Sequence, residues 1–176
     1  MKPAEFKARY LAAIPGDVPE SLREELAEFI DFDATRLAAL PIPDADRAIL
    51  EEVGLPRNAP PFLNFGGGKI ELLVPVEGFP KSALIGFTGF GDPICIDLDD
   101  GGAVVLLNRN DHNAPTTRTV MNRSIESLVH CLCGFAEYRA TGDAAALQAE
   151  IASVDERAGA EESWWTKEIK ARQPVA

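Results

Sequence analysis

The sequence predicts an α+β domain, with helices first, a central mostly antiparallel sheet of about five or six strands, and helices again at the end. Three observations carry this. Apolar residues recur at helical spacing before residue 55 and after residue 124. Between them the apolar runs shorten to strand length, and proline and glycine become frequent. Several connections between those runs are too short for the crossovers that parallel strands need.

Phe6, Tyr10, Leu11 and Ile14 mark one face of a first helix, ended by Pro15-Gly16. Pro19 and Ser21 open a second, with Leu22, Leu26, Phe29 and Ile30 as its apolar stripe. A third starts near Asp44 as N-cap, with Asp46 in the first turn, and stops at Gly54 as its C′ residue. Strands are expected near residues 62–65, 70–74, 83–88, 94–98, 103–107 and 117–121. Gly66-Gly67-Gly68 and Asp99-Asp100-Gly101-Gly102 are the loop chemistry of hairpins. Ser124 then caps the strongest helix, with Ile125, Leu128, Val129, Leu132, Phe135 and Ala136 on its apolar face. Gly142-Asp143 breaks and restarts it, with Leu147, Ile151 and Val154 on the next face. A short helix through Trp164, Trp165 and Ile169 closes the chain.

The chain has 176 residues, enough to bury a core without disulfides or metals. Hydrophobic residues are 46% and charged ones 26%, a balance that excludes global disorder. The net charge of −11 repels phosphates and argues against direct nucleic-acid or anionic-membrane binding. The start has no apolar signal region and no run is long enough for a membrane span, so a cytoplasmic location is expected. Cys95, Cys131 and Cys133 are odd in number and do not form a disulfide framework.

Motifs for chemistry are weak. Gly66-Gly67-Gly68-Lys69 lacks the first P-loop glycine and has Ile70 where the hydroxyl belongs. The glycines of Gly86–Gly91 are wrongly spaced for a dinucleotide fingerprint. They suit positive φ or a bulge, with Phe87 and Phe90 on the core or on an exposed rim. Asp97, Asp99 and Asp100 open like a calcium loop, but Asn108 stands where the twelfth-position glutamate belongs. His112 and His130, the only histidines, have no zinc spacing and no nucleophile signature around them. No metal or cofactor is therefore expected. If Ile94, Ile96 and Leu98 face the core, Cys95, Asp97 and Asp99 face the other way and make an acidic edge with Asp92. Trp164 and Trp165 either dock the last helix or serve an interface.

Three segments together suggest a family. Ile49-Leu50-Glu51-Glu52-Val53-Gly54-Leu55-Pro56 precedes Phe62-Leu63-Asn64-Phe65. Leu84-Ile85-Gly86-Phe87 leads to Gly91-Asp92-Pro93-Ile94-Cys95-Ile96-Asp97, an Asp/Gly turn and Val104-Val105-Leu106. Met121-Asn122-Arg123-Ser124-Ile125-Glu126-Ser127-Leu128 enters a helix, and Val154-Asp155 precedes the tryptophans. In this order, over residues 40–170, the chain resembles the SUKH superfamily. Its members include a yeast cell-wall-synthesis regulator, the bacterial protein Syd and immunity proteins of bacterial toxin systems. The Trp-x-aromatic element of that family has only Phe87-Thr88-Gly89-Phe90 as a counterpart here.

The resemblance implies a single SUKH-like domain over 1–176, with 1–40 a helical N-terminal extension. It also implies a non-catalytic module that binds a protein, here a basic toxin domain of nuclease or deaminase type. Asp92, Asp97, Asp99, Asp100 and Asp111 are the expected steering charges, and Phe87 and Phe90 the expected anchors. Two rivals stay open: a housekeeping regulator with a resident partner, and a small hydrolase using His112 or His130 with a nearby acid.

Overall fold

The computed structural model describes residues 1–66, 71–107 and 118–173. The loop read at 67–69, Ile70, the Asn108–Asn113 loop with Asp111 and His112, and Thr117 lie outside the described residues. The fold is α+β, as the apolar spacing implies.

Helix α1 (Pro3–Ala12) buries Phe6 and Tyr10. Both rings meet Phe29 edge-to-face, with centroids 5.7 and 5.8 Å apart. Helix α2 (Glu20–Leu26) buries no residue. Its expected stripe does not run on as helix, because Phe29–Ile30 is strand β1. After α3 (Ala34–Ala39) and α4 (Asp44–Glu52) the chain turns at Gly54, whose φ is +74°. A Cβ there would lie 1.9 Å from the Ile30 carbonyl oxygen, so only glycine lets β2 (Leu55–Pro56) pair with β1. Pro43, not Asp44, occupies the N-cap of α4, and Asp46 is buried in the first turn.

Six strands follow in one antiparallel sheet, neighbours in chain order: β3 (Asn58–Ala59), β4 (Leu63–Asn64), β5 (Ser82–Thr88), β6 (Pro93–Asp97), β7 (Ala103–Leu107) and β8 (Arg118–Asn122). Of the strand expected at 70–74, the described residues 71–74 form none. Leu73 has φ +60°, and the segment only docks on β5, through Leu73 N–H to the Leu84 oxygen and Leu84 N–H to the Val74 oxygen. Register shifts between Leu84 and Gly86. A Cβ on Gly86 would stand 2.5 Å from the Asn64 oxygen, so the glycine admits β4 alongside.

Ile85, Ile94, Ile96, Val104, Leu106 and Met121 turn to the main core, where α5 (Ile125–Thr141) lies. Each fully buried side chain of this kind stabilises by roughly 1.5–3 kcal/mol before entropy is counted. The opposite face is also covered. Leu84, Cys95, Val105 and Leu107 form a second cluster packed by Leu72, Val76 and Phe79. Cys95 faces away from Ile94 and Ile96, as alternation places it, but is fully buried because the 71–81 segment shields this face, while Asp97 is half-buried and Asp99 exposed at the strand end.

The C-terminal helices start on polar caps. Ser124 and Ser127 form a reciprocal capping box on α5, and Gly142 ends it at φ +68°. Asp143, Asp155 and Ser163 cap α6 (Ala144–Val154), α7 (Glu156–Gly159) and α8 (Trp164–Arg172). Trp165 is fully buried and donates Nε1–H to Asn122 Oδ1 at 2.9 Å, while Trp164 is half-buried. The docking role holds for Trp165.

Asp155 accepts from Arg123 N–H, the Ser127 hydroxyl, Arg157 N–H and Ala158 N–H. Replacing it by alanine strands those donors, and Asp155→Ala is expected to cost about 3 kcal/mol in urea unfolding. Arg9 ties α1 to α5 and α6, through a fork on Glu137 at 2.7 Å and a bond to Glu150. Its guanidinium holds the Glu137 carboxyl below the usual range. A lowered carboxyl adds stability above its unfolded pKa and loses it as pH falls through the folded one. Unfolding curves should therefore show wild type above Glu137→Gln at neutral pH, with the gap closing in acid.

Candidate functional site

Two clusters of the predicted residues stand at opposite ends of β6. Five strand residues separate them, on the order of 16 Å.

At one end, Asp97, Asp99 and Asp100 hold the β6–β7 turn. Asp97 Oδ1 accepts from the amides of Asp99 and Asp100, an Asx-type closure. Each acid also meets a cation. Asp97 lies 2.6 Å from Arg118, Asp99 lies 2.8 Å from Lys81, and Asp100 pairs with Arg118 at 2.7 Å and Arg157 at 3.7 Å. Three carboxylates thus face three cations, and the turn is locally near neutral.

At the other end, the β5–β6 hairpin closes through Thr88 N–H to the Asp92 oxygen and Asp92 N–H to Thr88 Oγ1. The loop it holds, Gly89-Phe90-Gly91, puts Phe90 87% in solvent. Phe87 is half-buried against the second cluster instead. Across from this loop stands Phe62, 72% exposed.

Phe62 is the residue that sequence reading missed, since it opened an expected strand at 62–65. The chain turns at Pro60-Pro61, Phe62 takes φ +99°, and β4 begins one residue later. The signal was present in the alternation: Leu63 and Phe65 are buried, so Phe62 and Asn64 fall on the other parity. Its conformation is held from both sides. Gly89 N–H donates to the Phe62 oxygen at 2.6 Å, and Arg172 donates to the Pro61 oxygen at 2.8 Å. The Arg172 guanidinium sits 5.1 Å from the Phe62 ring centroid.

Beside Phe62 opens a mostly apolar groove of about 590 Å³. Leu26 forms one side, the Asn58–Asn64 hairpin the floor, and Phe135, Tyr138 and Arg139 the end of α5.

Burial pushes the thiols of Cys95, Cys131 and Cys133 up to about 12, so none is a thiolate near neutrality. Burial lowers the pKa of His130, with the nearby N-terminal ammonium and Arg9 acting in the same direction. No group of three or more metal-ligating side chains occurs among the described residues. No helix among them is long and apolar enough to cross a membrane.

Comparison with known proteins adds the family. The model of the SUKH-4 immunity protein family matches residues 18–171. No curated protein matches the chain, and no solved structure does.

The buried thiols make a simple check. Ellman's reagent should titrate the three cysteines only after denaturant is added. Reaction of the folded protein on mixing would contradict their burial.

Proposed function

We propose that this chain, which belongs to the SUKH-4 immunity protein family, is a non-catalytic binding module that neutralises a cognate bacterial toxin in the cytoplasm of the cell that makes it. The toxin is a basic domain of nuclease or deaminase type. The observation that carries this is the family match across residues 18–171. The net charge of −11 supports it, because a protein that handles nucleic acid carries the opposite sign and is drawn in from a distance.

Asp92, Asp97, Asp99, Asp100 and Asp111 are offered as steering charges, with Phe87 and Phe90 as anchors. The cations at the β6–β7 turn temper this for three of them. Asp97, Asp99 and Asp100 contribute to the long-range field less than bare acids do. Phe90 suits the anchor role better than Phe87, since its ring is open to a partner.

The first test is the neighbouring gene, where a modular toxin is the expected outcome, and the second is co-production with that toxin's effector domain. Wild type should restore colony formation, and a chain carrying both His112→Ala and His130→Ala should restore it equally. Loss of protection with the histidines would favour a hydrolase. Against the same toxin, the triple change Asp97→Asn, Asp99→Asn and Asp100→Asn should slow association and flatten its salt dependence. An unchanged salt slope would remove these three acids from the steering field.

A further inference from the structure

Phe62 is costly as it stands. A non-glycine residue at positive φ is strained, and a solvent-facing ring forgoes its burial. The Gly89 amide, bonded to its oxygen, and the Arg172 guanidinium, bonded to the Pro61 oxygen and set over the ring, nevertheless fix it in that pose. Phe90 projects from the neighbouring loop, and Gly89 joins the two, its amide bonded to Phe62. Rigid exposed rings beside an apolar groove are the arrangement of interface anchors, preset so that little is lost on binding.

The charges in the groove say what fits. Its charged lining is Arg139 and Arg172. Arg172 is committed to Glu168, Pro61 and the Phe62 ring. Arg139 is exposed and forms no ion pair with a carboxylate among the described residues. In a chain with eleven more acids than bases, this groove offers a cation.

We infer that the groove between Phe62 and Arg139 seats an extended segment of the partner protein, one that carries an aromatic side chain beside a carboxylate. The aromatic side chain packs between Phe62 and Tyr138, and the carboxylate meets Arg139. This deepens the immunity reading by naming the segment the toxin presents, and rests on that reading only for the partner's being a toxin.

The test uses the full chain, ¹⁵N-labelled, and two blocked peptides, Gly-Glu-Phe-Glu-Gly and Gly-Lys-Phe-Lys-Gly. The acidic peptide should shift the amides of Asn64, Gly89, Tyr138 and Arg139 and saturate them. The basic peptide should bind about fivefold more weakly or worse, the worth of one exposed ion pair. Arg139→Ala should abolish that preference while its spectrum stays dispersed, and Phe62→Ala with Phe90→Ala should abolish both. No shifts, shifts elsewhere, or equal affinity for the two peptides would overturn the assignment. So would a dimer in sedimentation whose dissociation on dilution moves the same amides, since a second copy would then cover the groove. The two readings separate cleanly. If Phe62→Asp with Phe90→Asp still protects cells from the adjoining toxin, the surface is wrong and the immunity role stands. If the peptide preference holds but wild type gives no protection, the immunity role fails and the docking surface stands.

Discussion

Two buried polar side chains flanking the C-terminal helices hold those helices on the sheet. Asn122, the last residue of β8, accepts from the Trp165 indole and donates to the Cys131 sulfur. It thereby links the sheet to α5 and α8 at one point inside the core. Asp155 takes four donors from the β8–α5 junction, α5 and α7. Buried polar groups of this kind fix geometry because each alternative packing leaves a donor stranded. The Trp165 ring then lies 5.2 Å from Phe135, and α8 is carried back to where Arg172 reaches Pro61 and Phe62. The groove exists because this anchoring ends the last helix beside the β3–β4 turn.

Both sheet faces are occupied. The main core fills one, and the 71–81 segment closes the other over Leu84, Cys95, Val105 and Leu107. Among the described residues, the large hydrophobics left in solvent are Leu22 on α2 and, at the ends of the strands, Phe62 and Phe90. At one end the Asp97–Asp100 turn is satisfied by its own cations. At the other, Phe62 and Phe90 stand in solvent. Desolvating a self-paired acid turn costs more than covering two rings, so the aromatic end is the better surface.

Much of this fold was legible. Helix α5 announced itself through its apolar period, Ser124 and Gly142, because local capping and core packing agree there. Strands β5 to β8 were legible for the same reason, as short apolar runs between turns. Phe29 and Ile30 were misread as helix. Their strand state depends on Gly54 bringing β2 alongside, a contact that spans more than twenty residues and leaves no local trace. The cover over the second face was not legible, because alternation says which residues point away from the core, not whether something packs on them. The exposure of Phe90 was one of the two placements its flanking glycines allowed. Phe62 was hidden by its hydrophobicity, which reads as core until the parity of Leu63 and Phe65 is applied.

The charge pattern divides binding into two ranges. The excess of eleven acids acts over about a Debye length and attracts a basic domain without choosing an orientation. Arg139 acts only in contact, and opposes the sign of that field. A partner that is basic overall is brought in by the first, but it settles in the groove only if it presents an acidic, aromatic segment. On the docking proposal, a basic protein lacking that segment is attracted and then released, since Phe62 and Arg139, which pairs with no carboxylate among the described residues, stay uncovered. Specificity of this sort needs no catalytic group and no large interface. On the docking proposal it rests on the Phe62 ring and on Arg139, which pairs with no carboxylate among the described residues.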